Sequence, residues 1–251
     1  MAESEGTPPL CYISTHWDLL DQAHRGEGEA VSEAKRLLLV RYRDAVYRYL
    51  FKAVKDPDAA AELSQDFALR FLRGDFKQTN PERGRFRDFV GTVLYHLIVD
   101  YYRRRQRQPM SLLSESKYHP VASADPELSE QDFAAEWKHE LLNRAWQALE
   151  EADKQNGQLF YTVLRWRAEH PSDPAAQLAE QLQSEHRRPF TDTGVRQILH
   201  RARIKFAELL LAEVTRSLEG AGREQVEQEL IDLGLYVYCR PVLDRRLNDH
   251  K

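Results

Sequence analysis

Apolar residues recur at intervals of three and four along most of the chain, and no stretch alternates as a half-buried strand would. Between Val31 and Val54 the residues Leu37, Leu38, Val40, Tyr42, Val46, Tyr47, Leu50, Phe51 and Val54 keep that spacing, which predicts a first helix. Asp56-Pro57-Asp58 breaks it, and Asp58 can cap a second helix running to about Arg73. GDFKQTNPERG, residues 74–84, reads as a loop because it holds two glycines, a proline and an asparagine. A strongly patterned helix follows from Phe86 to about Arg105.

Residues 107–127 are rich in serine and proline and have no period, as expected of a linker. Beyond it the pattern predicts helices at 128–152, 157–168, 174–184 and 191–218, then an acidic helix at 223–234 and a short tail. Asp173 followed by Pro174 reads as an N-cap and a first-turn proline, and Thr191 as the cap of the long helix. The expected fold is all-α, with two helical domains, 12–106 and 128–218, joined by a flexible linker and followed by an extension at 219–251.

On a helical wheel Phe86, Phe89, Val90, Val93, Leu94, Leu97 and Tyr101 share one side, which should be core. The other side carries Asp88, Gly91, Thr92, Tyr95, Val99, Tyr102 and Arg103. Tyrosines beside arginines suit nucleic acid, since rings stack on unpaired bases while guanidinium groups hold phosphates. In the last long helix Val195, Ile198, Leu199, Ala202 and Phe206 form the expected buried stripe, and Thr193, Arg196, Gln197, His200 and Arg201 point outward. Preceded by PAAQLAEQL and a turn, this is a helix-turn-helix layout, whose second helix would enter the major groove, although a helical hairpin in a bundle has the same pattern. Arginine pairs with guanine there and glutamine with adenine.

Charge refines the picture. The 251 residues carry a net charge of -4, which argues against a uniformly basic nucleic-acid binder. Counted locally, Pro81 to Arg107 holds seven arginines against Glu82, Asp88 and Asp100, a net of +4. Arg187 to Lys205 holds six basic residues against Asp192, a net of +5. Two positive helices are thus set in an acidic remainder of -13, a footprint for a polyanion contacted at two places.

Composition removes other classes. The start, MAESEGTPPL, has neither a basic nor an apolar leader region, so no signal peptide is expected. The apolar run Phe89 to Val99 is far short of the ~20 residues a bilayer span needs, so no membrane insertion is expected. Two cysteines, Cys11 and Cys239, give no disulfide framework and no metal clip, which points to a reducing cytoplasm. Catalysis is not indicated. The chain has no phosphate loop and no nucleophile elbow, and His139-Glu140 begins a zinc-protease pattern that Asn143 fails to complete. No cofactor and no metal are expected.

Three stretches, in order, resemble the extracytoplasmic-function (ECF) subfamily of the sigma-70 family of bacterial RNA polymerase sigma factors. Asp58-Ala-Ala-Ala-Glu-Leu-Ser-Gln-Asp-Phe-Ala-Leu-Arg resembles region 2.2, with one alanine extra, through Glu62, Leu63, Gln65, Asp66, Leu69 and Arg70. The stretch Arg85 to Arg104 is similar to the family's F-R-x-W-L pattern ending in D-x-x-R-R, with Phe89 for tryptophan and His96 for asparagine. Thr191 to Arg203 is similar to region 4.2, although Thr193-Gly194 inverts the usual order and QSEHRRPF lengthens the turn before it.

The resemblance implies a factor that binds core RNA polymerase, directs it to promoter DNA and helps open the duplex. It implies a core contact through Glu62, Gln65, Asp66, Leu69 and Arg70. It implies a -10 strand contact through Arg85, Arg87, Thr92, Tyr95, His96, Tyr102, Arg103 and Arg104. It implies a -35 contact through Thr193, Arg196, Gln197, His200, Arg201 and Lys205. An anti-sigma factor is a further partner of the kind the family uses. Two rival readings are a helix-turn-helix regulator that acts without polymerase and a degenerate sigma homologue that acts as an interaction protein.

Overall fold

A computed structural model describes residues 29–73, 75, 85–107, 132–187, 189–218 and 222–248. Nine α-helices and no strand occur among them, in agreement with the all-α expectation. They are α1 (Glu29–Val54), α2 (Pro57–Arg73), α3 (Phe86–Arg107), α4 (Asp132–Asn156), α5 (Phe160–Glu169), α6 (Ala175–His186), α7 (Asp192–Ser217), α8 (Arg223–Asp232) and α9 (Tyr236–Asn248). The expected linker, Arg107 apart, lies outside the described residues, as does nearly all of the 74–84 loop.

The chain forms two compact units, Met1–Glu140 with Leu218–Ala221, and Leu141–Ser217 with Gly222–Lys251. In the first, α1, α2 and α3 pack against one another. Lys55, in the left-handed region at φ 54°, closes α1 after donating its N–H to Phe51 O at 2.8 Å. Asp56, not Asp58, then caps α2. Its Oδ1 accepts the N–H groups of Asp58 and Ala59 at 3.0 and 3.2 Å, and Pro57 takes the first helical position, where its missing N–H costs nothing.

The core of this unit is aromatic. Tyr42 is edge-on to Phe86 at 5.2 Å and stacked on Trp137 at 4.3 Å, with an interplanar angle of 14°. Phe133 meets Tyr49 edge-on at 5.7 Å, and Phe71 meets Phe86 at 6.2 Å. Phe133 and Trp137 belong to α4, so the start of that helix is part of the first unit. The sequence pattern puts the boundary at 128, after the linker. The boundary lies inside α4 because Phe133, Trp137 and Glu140 recur at helical spacing on the side that meets α1. Arg48 fixes the join: its Nε lies 3.3 Å from Glu136 Oε2, and its Nη2 donates to Glu140 Oε2 at 3.0 Å and to Glu136 O at 3.2 Å. The glutamate of the incomplete zinc-protease pattern is therefore a buried ion-pair partner.

In the second unit α7 is the axis, contacted by α5, α6, α8 and α9. Val163 and Trp166 of α5, Leu178 and Leu182 of α6, and Val195 and Leu199 of α7 form one core. Asp153 of α4 organises the start of α5, accepting the Tyr161 N–H at 2.6 Å. Burial raises its carboxyl above the usual range, and the N–H groups of Tyr161 and Phe160 pull it part of the way back. Pro174, extended at ψ 146°, is the N-cap of α6, one residue later than expected. The loop before it is pinned by Arg167, whose Nη1 donates to His170 O, Pro171 O and Asp173 O at 3.2, 3.2 and 2.6 Å.

The C-terminal extension folds as two helices where one and a tail were expected. α8 ends at Asp232, and Gly234 at φ 64° turns the chain into α9. Val226, Leu230, Leu233, Leu235, Cys239, Val242 and Leu243 are buried, which makes the extension part of the core of this unit. Pro241 sits inside α9 and hid that helix from pattern reading.

Candidate functional site

The outer surfaces of α2, α3 and the first half of α7 carry the residues singled out from sequence. α2 buries Ala59, Ala60, Leu63, Phe67 and Phe71. Its opposite side presents Glu62, Gln65 and Leu69, with Leu69 51% exposed. Asp66 and Arg70 stand on the flank, half-buried and joined to each other by two contacts of 2.9 Å, from Nε to Oδ1 and from Nη2 to Oδ2. Leu72, 45% exposed, belongs to the same side and was missed from sequence. The available signal was its position three residues after Leu69, out of phase with Leu63, Phe67 and Phe71.

On α3 the buried stripe is Phe86, Arg87, Val90, Gly91, Leu94, Leu97 and Ile98. It is turned by about 50°, half a residue step, from the stripe the sequence predicted. Three expectations change as a result. Arg87 is 6% exposed and is withdrawn from the surface proposed for DNA. Its Nε lies 3.3 Å from Asp88 Oδ1. Gly91 is core, and Phe89 and Val93 are only half-buried. The reason lies in the partners: α3 meets both α1 and α2, so its buried side is set by two neighbours rather than by the apolar residues alone.

Tyr102 is also committed within the fold. Its hydroxyl donates to Ala53 O at 2.9 Å, satisfying a carbonyl in the last turn of α1. Burial raises its phenol above the usual range, with Tyr101 adding and Arg105 opposing. His96, Arg103 and Arg104 are exposed, while Thr92, Tyr95 and Arg85 are half-buried. Thr92 donates its hydroxyl to Asp88 O at 3.0 Å. The Tyr95 and His96 rings meet edge to face at 5.8 Å. Arg103 Nη1 lies 3.8 Å from Asp100 Oδ1. Thr92, His96 and Arg103 share one side of the helix and make its accessible polar line.

At the start of α7, Thr191 caps as expected, its Oγ1 accepting the Gly194 N–H at 3.1 Å. α6 continues to His186, so the lengthened segment is partly helix and the connection to α7 is only 187–191. Arg187 begins that turn in the left-handed region at φ 52°. Val195, Leu199 and Ala202 are buried, while Ile198 and Phe206 are half-buried. Thr193, Arg196, Gln197, His200 and Arg201 are exposed. Arg196 grips Asp192 one turn back, Nε to Oδ1 at 3.2 Å and Nη2 to Oδ2 at 2.8 Å. Lys205 is half-buried, 3.5 Å from Glu208.

A third positive stretch escaped the sequence count. From Arg36 to Lys55, α1 and its closing residue hold six basic residues against Asp44, a net of +5. A running charge count over the first helix would have found it.

Among the described residues, no group of three or more His, Cys, Asp or Glu side chains is placed to hold a metal ion. No helix there is long and apolar enough to cross a membrane.

Residues 38–108, most of α1 to α3, match the family model Sigma-70 region 2. The matched segment is well under half of the 251 residues. The similarity to sigma-70 region 2 is therefore a property of α1 to α3. No curated protein and no solved structure matches the chain.

Proposed function

We propose that the protein is an ECF-type sigma factor, acting in the cytoplasm and without catalytic activity of its own. In this reading α1–α3 is the region 2 module, and the outward side of α2 docks on core RNA polymerase. Leu69 and Leu72 supply apolar contact there, Glu62 and Gln65 supply the polar rim, and Asp66 and Arg70 hold each other on its flank. The polar line of α3, with Thr92, His96 and Arg103, engages the opened -10 strand, and Tyr95, Arg85 and Arg104 flank it. The helices α5–α7 act as a region 4-like module, in which α7 reads the -35 element through Thr193, Arg196, Gln197, His200 and Arg201. An anti-sigma factor is the regulator such a protein would use.

The observation that carries this reading is the region 2 match on α1–α3, the same helices that display an exposed leucine pair and an exposed polar and basic line. The test is reconstitution with bacterial core polymerase, followed by transcription over a promoter library. The expected results are retention of the chain by core enzyme and initiation at a defined promoter class. Leu69→Glu, at an exposed position, is expected to weaken retention at least tenfold with far-UV circular dichroism unchanged. Arg196→Ala is expected to reduce promoter use while sparing retention. A folded chain that core enzyme fails to retain at low salt would overturn the proposal.

A further inference from the structure

The outward side of α1, which faces away from α2 and α3, is apolar where a solvated helix would be polar. Leu37, Val40, Tyr47 and Phe51 are 55, 59, 37 and 44% exposed. Their spacing places them on one line, and Leu37 to Phe51 spans about 21 Å of helix. Tyr47 and Phe51 lie nearly parallel, 6.2 Å apart with 10° between their planes. Scattered exposed apolar residues need no explanation, but four on one helical line, broken by a single polar position, make the pattern by which one amphipathic helix receives another.

Charge narrows the occupant. Arg43, with its side chain 73% exposed, borders the line on one side, and Lys52, 52% exposed with its Nζ 4.0 Å from Glu136 Oε1 of α4, borders it on the other. Lys55 is exposed one turn beyond Phe51. Asp44 interrupts the line at its centre and keeps a contact of 2.9 Å with Arg43 Nε. A complementary helix therefore has an apolar stripe, acidic flanks and one basic residue near its middle, opposite Asp44. A single polar position inside an apolar seam fixes register in helix pairs.

We infer that the outward side of α1 is a docking surface for an acidic amphipathic helix of a partner protein. Single-stranded nucleic acid fits less well. Half of the line, Leu37 and Val40, is aliphatic and offers a base neither a ring to stack on nor a hydrogen-bond donor. The inference uses only the exposed side of α1 and does not draw on the sigma reading.

The test uses the full chain and three probes in fluorescence anisotropy. Two are synthetic helical peptides of roughly 20 residues with the same leucine stripe, one flanked by glutamates and one by lysines. The third is an oligothymidylate of similar length. The glutamate peptide is expected to bind at least tenfold more tightly than the lysine peptide. Val40→Glu with Phe51→Glu is expected to reduce its binding at least tenfold, and Arg43→Gln with Lys55→Gln to weaken it while retaining the apolar contact. All four substitutions are at exposed positions, and an unchanged urea midpoint confirms folding. Equal affinity for the two peptides, binding indifferent to Val40→Glu with Phe51→Glu, or preferred binding of the oligothymidylate would each overturn the inference. So would self-association of the chain that the same double variant abolishes, because the occupant would then be a second copy.

Discussion

Replacing Trp137 by alanine tests whether the start of α4 is part of the first unit. The indole is 1% exposed and stacked on Tyr42 at 4.3 Å, and Tyr42 in turn bears on Phe86. Removing a buried tryptophan side chain costs about 3–5 kcal/mol, a range that includes the cavity it leaves. A well-placed ring pair contributes about 0.5–1.5 kcal/mol beyond burial. The upper half of the range is expected here, because α1 and α3 already contact each other and cannot close fully over the gap. At 1.4 kcal/mol per tenfold, the opening equilibrium of α1 shifts by roughly a hundredfold or more. Hydrogen exchange read by mass spectrometry is the direct assay, on peptides covering Tyr42 to Leu50 of α1. Those amides are expected to exchange at least a hundredfold faster in Trp137→Ala. Trp137→Phe, which keeps a ring against Tyr42, is expected to recover most of the protection. If exchange in α1 is unchanged by Trp137→Ala, the stack does not hold α4 to this unit and the boundary belongs at the linker.

Three further outcomes are expected. A double-mutant cycle on Arg48→Ala and Glu140→Ala, followed by urea unfolding, should give a coupling of about 1–2 kcal/mol, because Glu140 is buried and Arg48 partly so. A coupling near zero would mean that the pair does not hold the join. Burial raises the Cys239 thiol from 9.0 to about 11, so the neutral form is favoured in the fold. The associated stability is complete below the unfolded value and is lost as pH rises through about 11. The urea midpoint of the second unit should therefore fall at high pH in the wild type by more than in Cys239→Ala. Tyr102→Phe should cost about 1 kcal/mol by leaving Ala53 O without its donor, read as a lower thermal midpoint with unchanged helix content.

The parts of the fold that were legible in the sequence are those set by single helices. Val195, Leu199 and Ala202 of α7 are buried as the pattern predicts because that helix has one dominant buried side, and Thr191 is legible because a cap is a local device. What depends on two partners at once was not legible. α3 has an apolar pattern consistent with either of two rotations, and only its joint contact with α1 and α2 selects the one that buries Arg87 and Gly91. The division into units depends on two partners in the same way. Phe133 and Trp137 are as good core residues for a second domain as for the first, and only Tyr42 and Arg48, some ninety positions earlier, decide which. At the candidate site, sequence identified the exposed polar residues of α7 and α2. It missed Leu72 and the side of α1, because an exposed apolar residue looks like core until a structure shows it uncovered.

The two surface arginines in the proposed contacts raise a question of availability. Arg70 and Arg196 are each held by an aspartate one turn earlier, Asp66 and Asp192, through two contacts of 2.8–3.2 Å. Such a pair could be read as consuming the guanidinium. The magnitudes argue otherwise for Arg196. An exposed pair on a helix is worth about 0.3–0.5 kcal/mol, and its aspartate stays solvated when the arginine leaves. A bidentate contact to guanine is worth about 1–3 kcal/mol, so the exchange runs toward DNA. In the meantime Asp192 keeps the guanidinium near the N-terminal end of α7, which reduces the side-chain entropy still to be lost on binding. Arg48 is the opposite case. Its partner Glu140 is buried, so releasing the arginine would leave a desolvated carboxylate behind, at a cost no surface contact would recover. The same residue type in the same kind of pair is therefore exchangeable on α7 and fixed on α1, and burial of the carboxylate makes the difference.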